Sequence, residues 1–397
     1  MFEFKLNTQD NQSRARSGVF STPHLELQTP ELAIVATEGE IKAIPKELWP
    51  ELPCQYLIVN TFHIYTKKIL AQIESEKEIH NFMNLSDRTY ASDSGGFQVF
   101  SLGFGKSHQV GKIGGFFPGA EHAVQDTENP VTITENDVTF RWDGEDITLN
   151  PEISMDIQHK IGADIIFAFD ECTSPLNSKE YTAQAQQRTF NWLDRCIEAH
   201  KPYAAKQALF GIVQGGAYHD LRIQAAEFLA QADVPGYGIG GSLGKTKAEM
   251  HAILDWILPI LPVAKPRHLL GIGQVRDIFE GVERGVDLFD CVIPTREARH
   301  RVLYTHEGRI SMRHRKADTS IVSTTCGCFG CREGVTWEQL WQMFVERDPR
   351  GMMYTTSHNI WFFSELMAKI RASIQENKFA QLKEEYLAKY PAPASSL

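Results

Sequence analysis

Short apolar runs of strand length recur along the chain, and each stops at a polar residue or a glycine. They are LAIVAT (32–37), YLIVNT (56–61), RTYASD (88–93), IIFAFD (165–170), LFGIVQ (209–214), YGIGG (237–241), HLLGIG (268–273) and VDLFD (286–290). Segments of helical periodicity, such as 178–200 and 245–261, separate most of them. Strand and helix in alternation predict a (β/α)8 TIM barrel, with a doubly wound open sheet as the competing arrangement. The barrel is preferred because the polar residues fall at the C-terminal ends of the runs. A closed parallel barrel would gather Asp93, Asp170, Gln214, Gly241, Gly271 and Asp290 at one mouth, whereas an open sheet would scatter them along an edge.

Around this repeat the pattern changes. Residues 1–30 carry short alternating pieces broken by Gly18, Pro23 and Pro30, which predict small antiparallel strands capping one end. Residues 103–150 hold six glycines between Gly103 and Gly119, then a long polar span. They are expected to form an irregular insertion that returns through a hairpin at Asp143-Gly144. The expected division is an N-terminal cap plus catalytic barrel over 1–293 and an appended module over 294–397, ending in the helix-spaced 379–390.

Composition narrows the class. Hydrophobic residues are 42% and charged residues 23% of the chain, as in soluble globular proteins. There is no apolar run of membrane-spanning length and no signal-like start, and seven cysteines with uneven spacing argue against a secreted disulfide framework. A cytoplasmic location is expected. The net charge of −10 opposes a nucleic-acid partner until its distribution is considered. Between Pro294 and Lys316 six arginines and one lysine face only Glu297 and Glu307, directly after Asp290. This is either a phosphate-binding surface or a solvated charged hairpin.

Two local patterns carry chemistry. Cys326, Cys328 and Cys331 lie within six residues, and His358 is the only histidine after them. That is a Cys3His set for one structural Zn2+, with all four tetrahedral positions filled by protein. A redox role is the alternative, which the expected reducing compartment disfavours. The second pattern is Asp93-Ser94-Gly95-Gly96-Phe97-Gln98, a carboxylate at a strand end followed by bare backbone, an aromatic face and an amide. It suits a flat polar ligand, and Asp170, Gln214 and Gly240-Gly241 repeat the theme.

Together SDSGGFQVFSLG, FDECTSP, GIVQGG, HLLGIG, FDCVIPTREARH and the CxCxxC…H set resemble the tRNA-guanine transglycosylase family in its bacterial form, over about 14–363. The resemblance implies a zinc-bearing (β/α)8 barrel that exchanges guanine at the wobble position of GUN-anticodon tRNAs (Asp, Asn, His, Tyr) for the free 7-deazaguanine base preQ1. It implies Asp290 as nucleophile, Asp93 as general acid/base, and Asp170, Gln214, Gly240 and Gly241 on the polar edge of the base. Phe97 and Leu270 would cover its faces, beside Ser94, Gly95, Gly96, Gln98 and Gly271. It places Gly271, Ile272, Gly273, Gln274, Val275, Arg276, Asp277, Thr295, Arg296, Glu297, Ala298 and Arg299 toward tRNA, and a homodimer is usual for the family.

The chain departs from the family pattern in three places. Gly241-Ser242-Leu243-Gly244-Lys245 is one residue shorter than usual, with Lys in place of Glu, which leaves queuine as a competing incoming base. Gln274-Val275 replaces Lys-Pro, and the 103–136 insertion is longer than the bacterial one. A non-catalytic RNA-binding relative should lack the nucleophile, yet Asp93 and Asp290 are both present. A barrel glycoside hydrolase would leave the cysteine set and arginine segment unexplained.

Overall fold

A computed structural model describes residues 2–97, 99–100, 131–241, 243–244 and 246–391. Three strands, β1 (Glu3–Gln9), β2 (Arg16–Ser21) and β3 (Glu26–Thr29), form an antiparallel sheet ahead of the barrel. The barrel begins with β4 (Glu31–Val35), β5 (Tyr56–Val59) and β6 (Thr89–Ser92). A small antiparallel sheet follows, of β7 (Thr132–Ile133), β8 (Val138–Trp142) and β9 (Glu145–Leu149). The barrel then continues through β10 (Ile165–Phe167), β11 (Ala208–Val213), β12 (Gly236–Ile239), β13 (Arg267–Leu269) and β14 (Leu288–Cys291), which pairs in parallel with β4 and closes the ring. All eight apolar runs of the sequence are barrel strands; seven strands end one to four residues before the polar terminus of the run, while β14 runs one residue past Asp290.

Residue alternation sorts each strand into an inner and an outer face. The inner cluster contains Ala33, Tyr56, Ile58, Ala91, Ile165, Phe167, Phe210, Ile212 and Leu288, and Phe4, Phe20 and Leu27 of the N-terminal sheet join it from below. The expected cap therefore plugs the bottom of the barrel. Strand β12 offers glycine on its inner face: a Cβ at Gly236 would lie 2.4 Å from Phe210, and one at Gly238 2.7 Å from Ile212. Those glycines make room for the large neighbours that fill the barrel.

Buried charge fastens the plug. The Arg16 guanidinium grips Asp287 at 2.8 and 2.5 Å and donates to Val263 O and Lys265 O at 2.7 and 3.1 Å. His24, in the β2–β3 turn, meets Asp164 at the foot of β10 at 2.6 Å, and His80 meets the same carboxylate at 3.0 Å.

The helices are α1 (Thr61–Thr66), α2 (Leu70–Ser75), α3 (Ile79–Met83), α4 (Pro151–Ile161), α5 (Lys179–His200), α6 (His219–Gln231), α7 (Lys247–Ile257) and α8 (Val275–Arg284). Local chemistry sets their starts. Ser178 caps α5, and Thr246 with Glu249 forms a capping box on α7. The segment after Asp290 opens as a short helix, α9 (Ile293–Arg299), because Pro294 is compatible with a first helical turn. The hairpin β15 (Val302–Thr305) and β16 (Gly308–Ser311) follows, then α10 (Phe329–Arg332), α11 (Trp337–Glu346), α12 (Pro349–Gln375) and α13 (Phe379–Lys389).

The expected irregular insertion is corrected in part. Residues 131–149 form the β7–β9 sheet, with Asp143 and Gly144 at φ 50° and 83° in the two-residue turn. It is held to α5 by Trp192 Nε1 on Glu135 O at 2.8 Å and Arg195 on Asn136 O at 2.9 Å. The glycine-rich 103–119 stretch and the rest of that insertion up to 130 lie outside the described residues. No helix among the described residues is long and apolar enough to cross a membrane.

Candidate active site and metal centre

The inner-face period that buries Leu288 carries Asp290 two residues on, at the top of the same face. A slip of one residue would turn it into the helix layer, where Phe289 and Cys291 pack. Asp290 is only slightly exposed, and two donors meet its Oδ1: His268 Nε2 at 3.0 Å and the Gly271 N–H at 3.0 Å. His268 is fully buried on β13, with the Tyr56 hydroxyl 3.3 Å from its Nδ1. Sequence reasoning passed over His268, although its place two residues before Leu270 on an inner face is a readable signal.

Asp93 sits at the top of β6, above Ala91. Its carboxylate accepts from Asn60 Nδ2 at 2.7 Å and from the Thr61 N–H at 2.8 Å. Asn60 is also the N-cap of α1, its Oδ1 accepting from His63 N at 2.9 Å, so the cap fixes which way its amide faces. Asn60 was likewise not singled out from sequence; its signal is an Asn at a strand end opening a helix.

Asp170 follows β10, the neighbour of β6 in the ring and opposite β14, and is buried. Gln214 Nε2 donates to its Oδ2 at 2.5 Å and Ser94 Oγ to its Oδ1 at 3.4 Å. Burial pushes the Asp170 carboxyl up to about 6, against the opposing pull of those two hydrogen bonds. Gln214 Oε1 is buried with no hydrogen-bond partner among the described residues, and Gly241 lies directly beside it. A Cβ at Gly241 would fall 2.1 Å from that oxygen, and Gly241 holds φ +78°, so glycine is required twice over. Buried Arg222 donates to Val213 O, Gly216 O and Gly240 O at 2.9, 2.7 and 3.0 Å, holding both loops from beneath. Because C=O and N–H point opposite ways across a trans peptide, tying down Gly240 O turns the Gly241 N–H away from Arg222.

Gly95 and Gly96 continue from Ser94 into the helical turn that carries half-buried Phe97; a Cβ at Gly96 would press on Asp170 O at 2.9 Å. Half-buried Leu270 lies against Gly238 and Gly240. Below, Gln158 of α4 bonds Phe167 O and N at 2.9 and 3.1 Å, and Ser154 bonds Ser94 O at 2.7 Å, which stitches β6 to β10. Gln98, Ser242 and Lys245 lie outside the described residues.

The residues expected to face RNA divide. Gln274 is exposed and Gly271, Ile272, Arg276, Arg296, Glu297 and Arg299 are half-buried. The side chains of Val275, Asp277, Thr295 and Ala298 are buried, and Asp277 is ion-paired to Lys247 at 2.5 Å. Gly273 is buried as well, because a Cβ there would sit 2.3 Å from that of Cys291. Much of the arginine segment is a paired hairpin. Arg309 engages Glu297 at 2.8 Å, Arg315 engages Glu307 and Asp318 at 3.1 and 2.8 Å, and Arg301 lies 5.3 Å over Trp341.

Cys326, Cys328, Cys331 and His358 come together with all four donor atoms within 4.8 Å of one another. Tetrahedral coordination with metal–sulfur near 2.3 Å and metal–nitrogen near 2.05 Å puts sulfur and nitrogen about 3.6 Å apart. Cys328 Sγ and Cys331 Sγ stand 3.6 and 3.5 Å from His358 Nδ1, so the residues fit a metal ion. His358 Nε2 donates to Tyr304 O at 3.0 Å, which leaves Nδ1 as the free donor. The adjacent Asn359 bonds Tyr304 N, Pro294 O and Val302 O, so the helix bearing the histidine also holds the segment that follows Asp290.

A closed (β/α)8 barrel with carboxylates and a buried carboxylate–amide pair at its mouth, and a Cys3His cluster able to hold a metal ion, defines a barrel of enzyme type. The family model described as queuine tRNA-ribosyltransferase matches residues 10–392. A putative queuine tRNA-ribosyltransferase of Archaeoglobus fulgidus is 40% identical, covering 96% of this chain and 99% of its own. Queuine tRNA-ribosyltransferases of Halothermothrix orenii and Desulforamulus reducens are each 37% identical, over 99% and 98% of this chain and 99% of their own. The chain belongs to the queuine tRNA-ribosyltransferase family and is a transglycosylase-type enzyme.

Proposed function

We propose that the protein exchanges guanine at the wobble position of GUN-anticodon tRNAs (Asp, Asn, His, Tyr) for preQ1, by two displacements at one ribose carbon. The observation that carries this reading is the hydrogen-bonded Asp170–Gln214 pair beside bare Gly241, across the mouth from a second carboxylate held by two donors. A carboxylate accepts from the N–H groups of a guanine-like edge, while amide and backbone N–H groups donate to its carbonyl. The target nucleotide must leave the anticodon stack to reach this pocket.

In the first half, the Asp290 carboxylate forms a bond to C1′ as the C1′–N9 bond breaks, and guanine departs with the electron pair and a proton from Asp93. In the second, the incoming base gives its N9 proton to Asp93, bonds C1′ and releases the ester, restoring the carboxylate. Two inversions retain configuration. Arg296, Arg299 and the loop from Gly271 to Gln274 are the surface for the flanking nucleotides, supported by buried Val275, Asp277, Thr295 and Ala298.

We infer that Cys326, Cys328, Cys331 and His358 would hold one structural zinc, which would clamp the 326–331 loop to α12. Residues 294–397 then act as a subdomain packed on the barrel, and the working unit is a cytoplasmic homodimer.

The test is release of radiolabelled guanine from a wobble-labelled tRNA, with preQ1 and queuine offered separately and Asp290→Asn as control. Release with preQ1, lost in the variant, is the expected result. Release only with queuine moves the substrate assignment and makes the Ser242–Lys245 loop its cause. Binding of tRNA without release under either base removes the catalytic reading.

A further inference from the structure

The two oxygens of Asp290 are not equivalent. Both donors, His268 Nε2 and the Gly271 N–H, converge on Oδ1 at 3.0 Å, and no described residue hydrogen-bonds Oδ2. His268 has no freedom to do otherwise. It is fully buried, its Nδ1 faces the Tyr56 hydroxyl at 3.3 Å, and the Phe167 ring packs edge-on to it with centroids 5.2 Å apart. Its Nε2 therefore carries the hydrogen that faces the carboxylate, and its Nδ1 accepts from Tyr56. Burial and the Asp290 charge hold the Tyr56 hydroxyl well above its ordinary range, so it stays a proton donor.

We infer that His268 is a positioning residue that divides the Asp290 carboxylate into an anchored oxygen, Oδ1, and a reacting oxygen, Oδ2, and that its main effect is on breakdown of the covalent intermediate. This rests on the reading of Asp290 as nucleophile. In the first half-reaction the C1′–Oδ2 bond forms, C1′–N9 breaks, and Oδ1 becomes the ester carbonyl. The two hydrogen bonds to Oδ1 then face a neutral acceptor and weaken. In the second half the base nitrogen bonds C1′, C1′–Oδ2 breaks with its electron pair returning to the carboxylate, and the base proton goes to Asp93. Charge returns to Oδ1 in that step, and hydrogen bonds to a charged acceptor are about twice as strong as to a neutral one. The same two donors thus slightly restrain attack and assist departure, so the ester does not become a resting state.

The test separates the half-reactions. Enzyme and labelled tRNA are mixed without added base, the denaturant-resistant protein–RNA species is followed over time, and saturating preQ1 (or queuine, if that is the base accepted) is then added to measure its decay. For His268→Phe the decay rate should fall about 10- to 100-fold, while the formation rate stays within about threefold of the parent. His268→Gln, whose amide N–H can take the place of Nε2, should recover most of the decay rate. Tyr56→Phe, which frees the ring to turn, should show a smaller loss of the same sign. Equilibrium binding of the free base, which reports the Asp170 pocket, should be unchanged in all three.

Equal slowing of formation and decay, or His268→Gln no better than His268→Phe, would overturn the inference and leave His268 a packing residue. Should His268→Phe not fold, Tyr56→Phe carries the test, and a parental decay rate in that variant would overturn it. If the parent enzyme exchanges base but forms no covalent species, and Asp290→Asn retains exchange, the nucleophile assignment itself fails. That outcome differs from one in which the species forms normally but is indifferent to His268.

Discussion

Replacing Asp170 by Asn should stabilise the folded chain at neutral pH while abolishing its hold on the base. Burial raises this carboxyl from 3.8 to about 6, and each pKa unit corresponds to about 1.4 kcal/mol. Keeping the group ionised at neutral pH therefore costs the folded state about 3 kcal/mol relative to the unfolded chain. Between the two pKa values the native state holds a proton that the unfolded chain has released. Its contribution to stability is therefore greatest below about pH 4, is lost as the pH rises through about 6, and is flat above.

Asn carries no charge, keeps the shape and still accepts from Gln214 through Oδ1, so the variant escapes most of that cost. The urea midpoint of Asp170→Asn should exceed that of the parent near pH 7.5, and the two should converge near pH 4. For ligand binding the sign reverses, because a base donating N–H groups favours the ionised carboxylate. Affinity of the parent for preQ1, measured by calorimetry, should weaken about tenfold per pH unit below about 6, and the variant should bind weakly at every pH. A variant no more stable than the parent at pH 7.5, or parent affinity that is flat between about pH 5 and 7, would refute the claim that this buried carboxylate is held ionised for the base.

Three further outcomes follow from the geometry. Gly241→Ala should raise the KM for the base about 30- to 100-fold, because the new Cβ displaces Gln214 and two hydrogen bonds to the base are lost; circular dichroism should be unchanged. Metal analysis should find one zinc per chain, and chelation or His358→Ala should lower the melting temperature and reduce tRNA binding more than base binding. Arg16→Ala should cost about 3–5 kcal/mol in denaturant unfolding, since it leaves Asp287 buried without its partner, with exchange per folded molecule intact.

The sequence by itself determined the barrel. Eight apolar runs separated by helical segments leave few ways to bury both faces of every strand, and each run became a strand of the ring. It also determined most of the Cys3His cluster, because three cysteines within six residues have little freedom to be elsewhere. The mouth residues were legible because polar groups at the ends of buried strands are costly unless they serve a site.

Tertiary structure decided the rest, in contacts between residues far apart in the chain. Nothing local predicts that the amide of Asn60 would hold Asp93, or that His268 and the Gly271 N–H would take one oxygen of Asp290. The arginine segment misleads for the same reason. Counted along the chain it is a block of positive charge, but folding sets Arg309 on Glu297 and Arg301 on Trp341, and α9 turns Thr295 and Ala298 inward. Residue type and spacing give an element and its inner face. Which donor meets which carboxylate oxygen is fixed only when the ring closes, because closure sets the register between strands that sequence leaves independent.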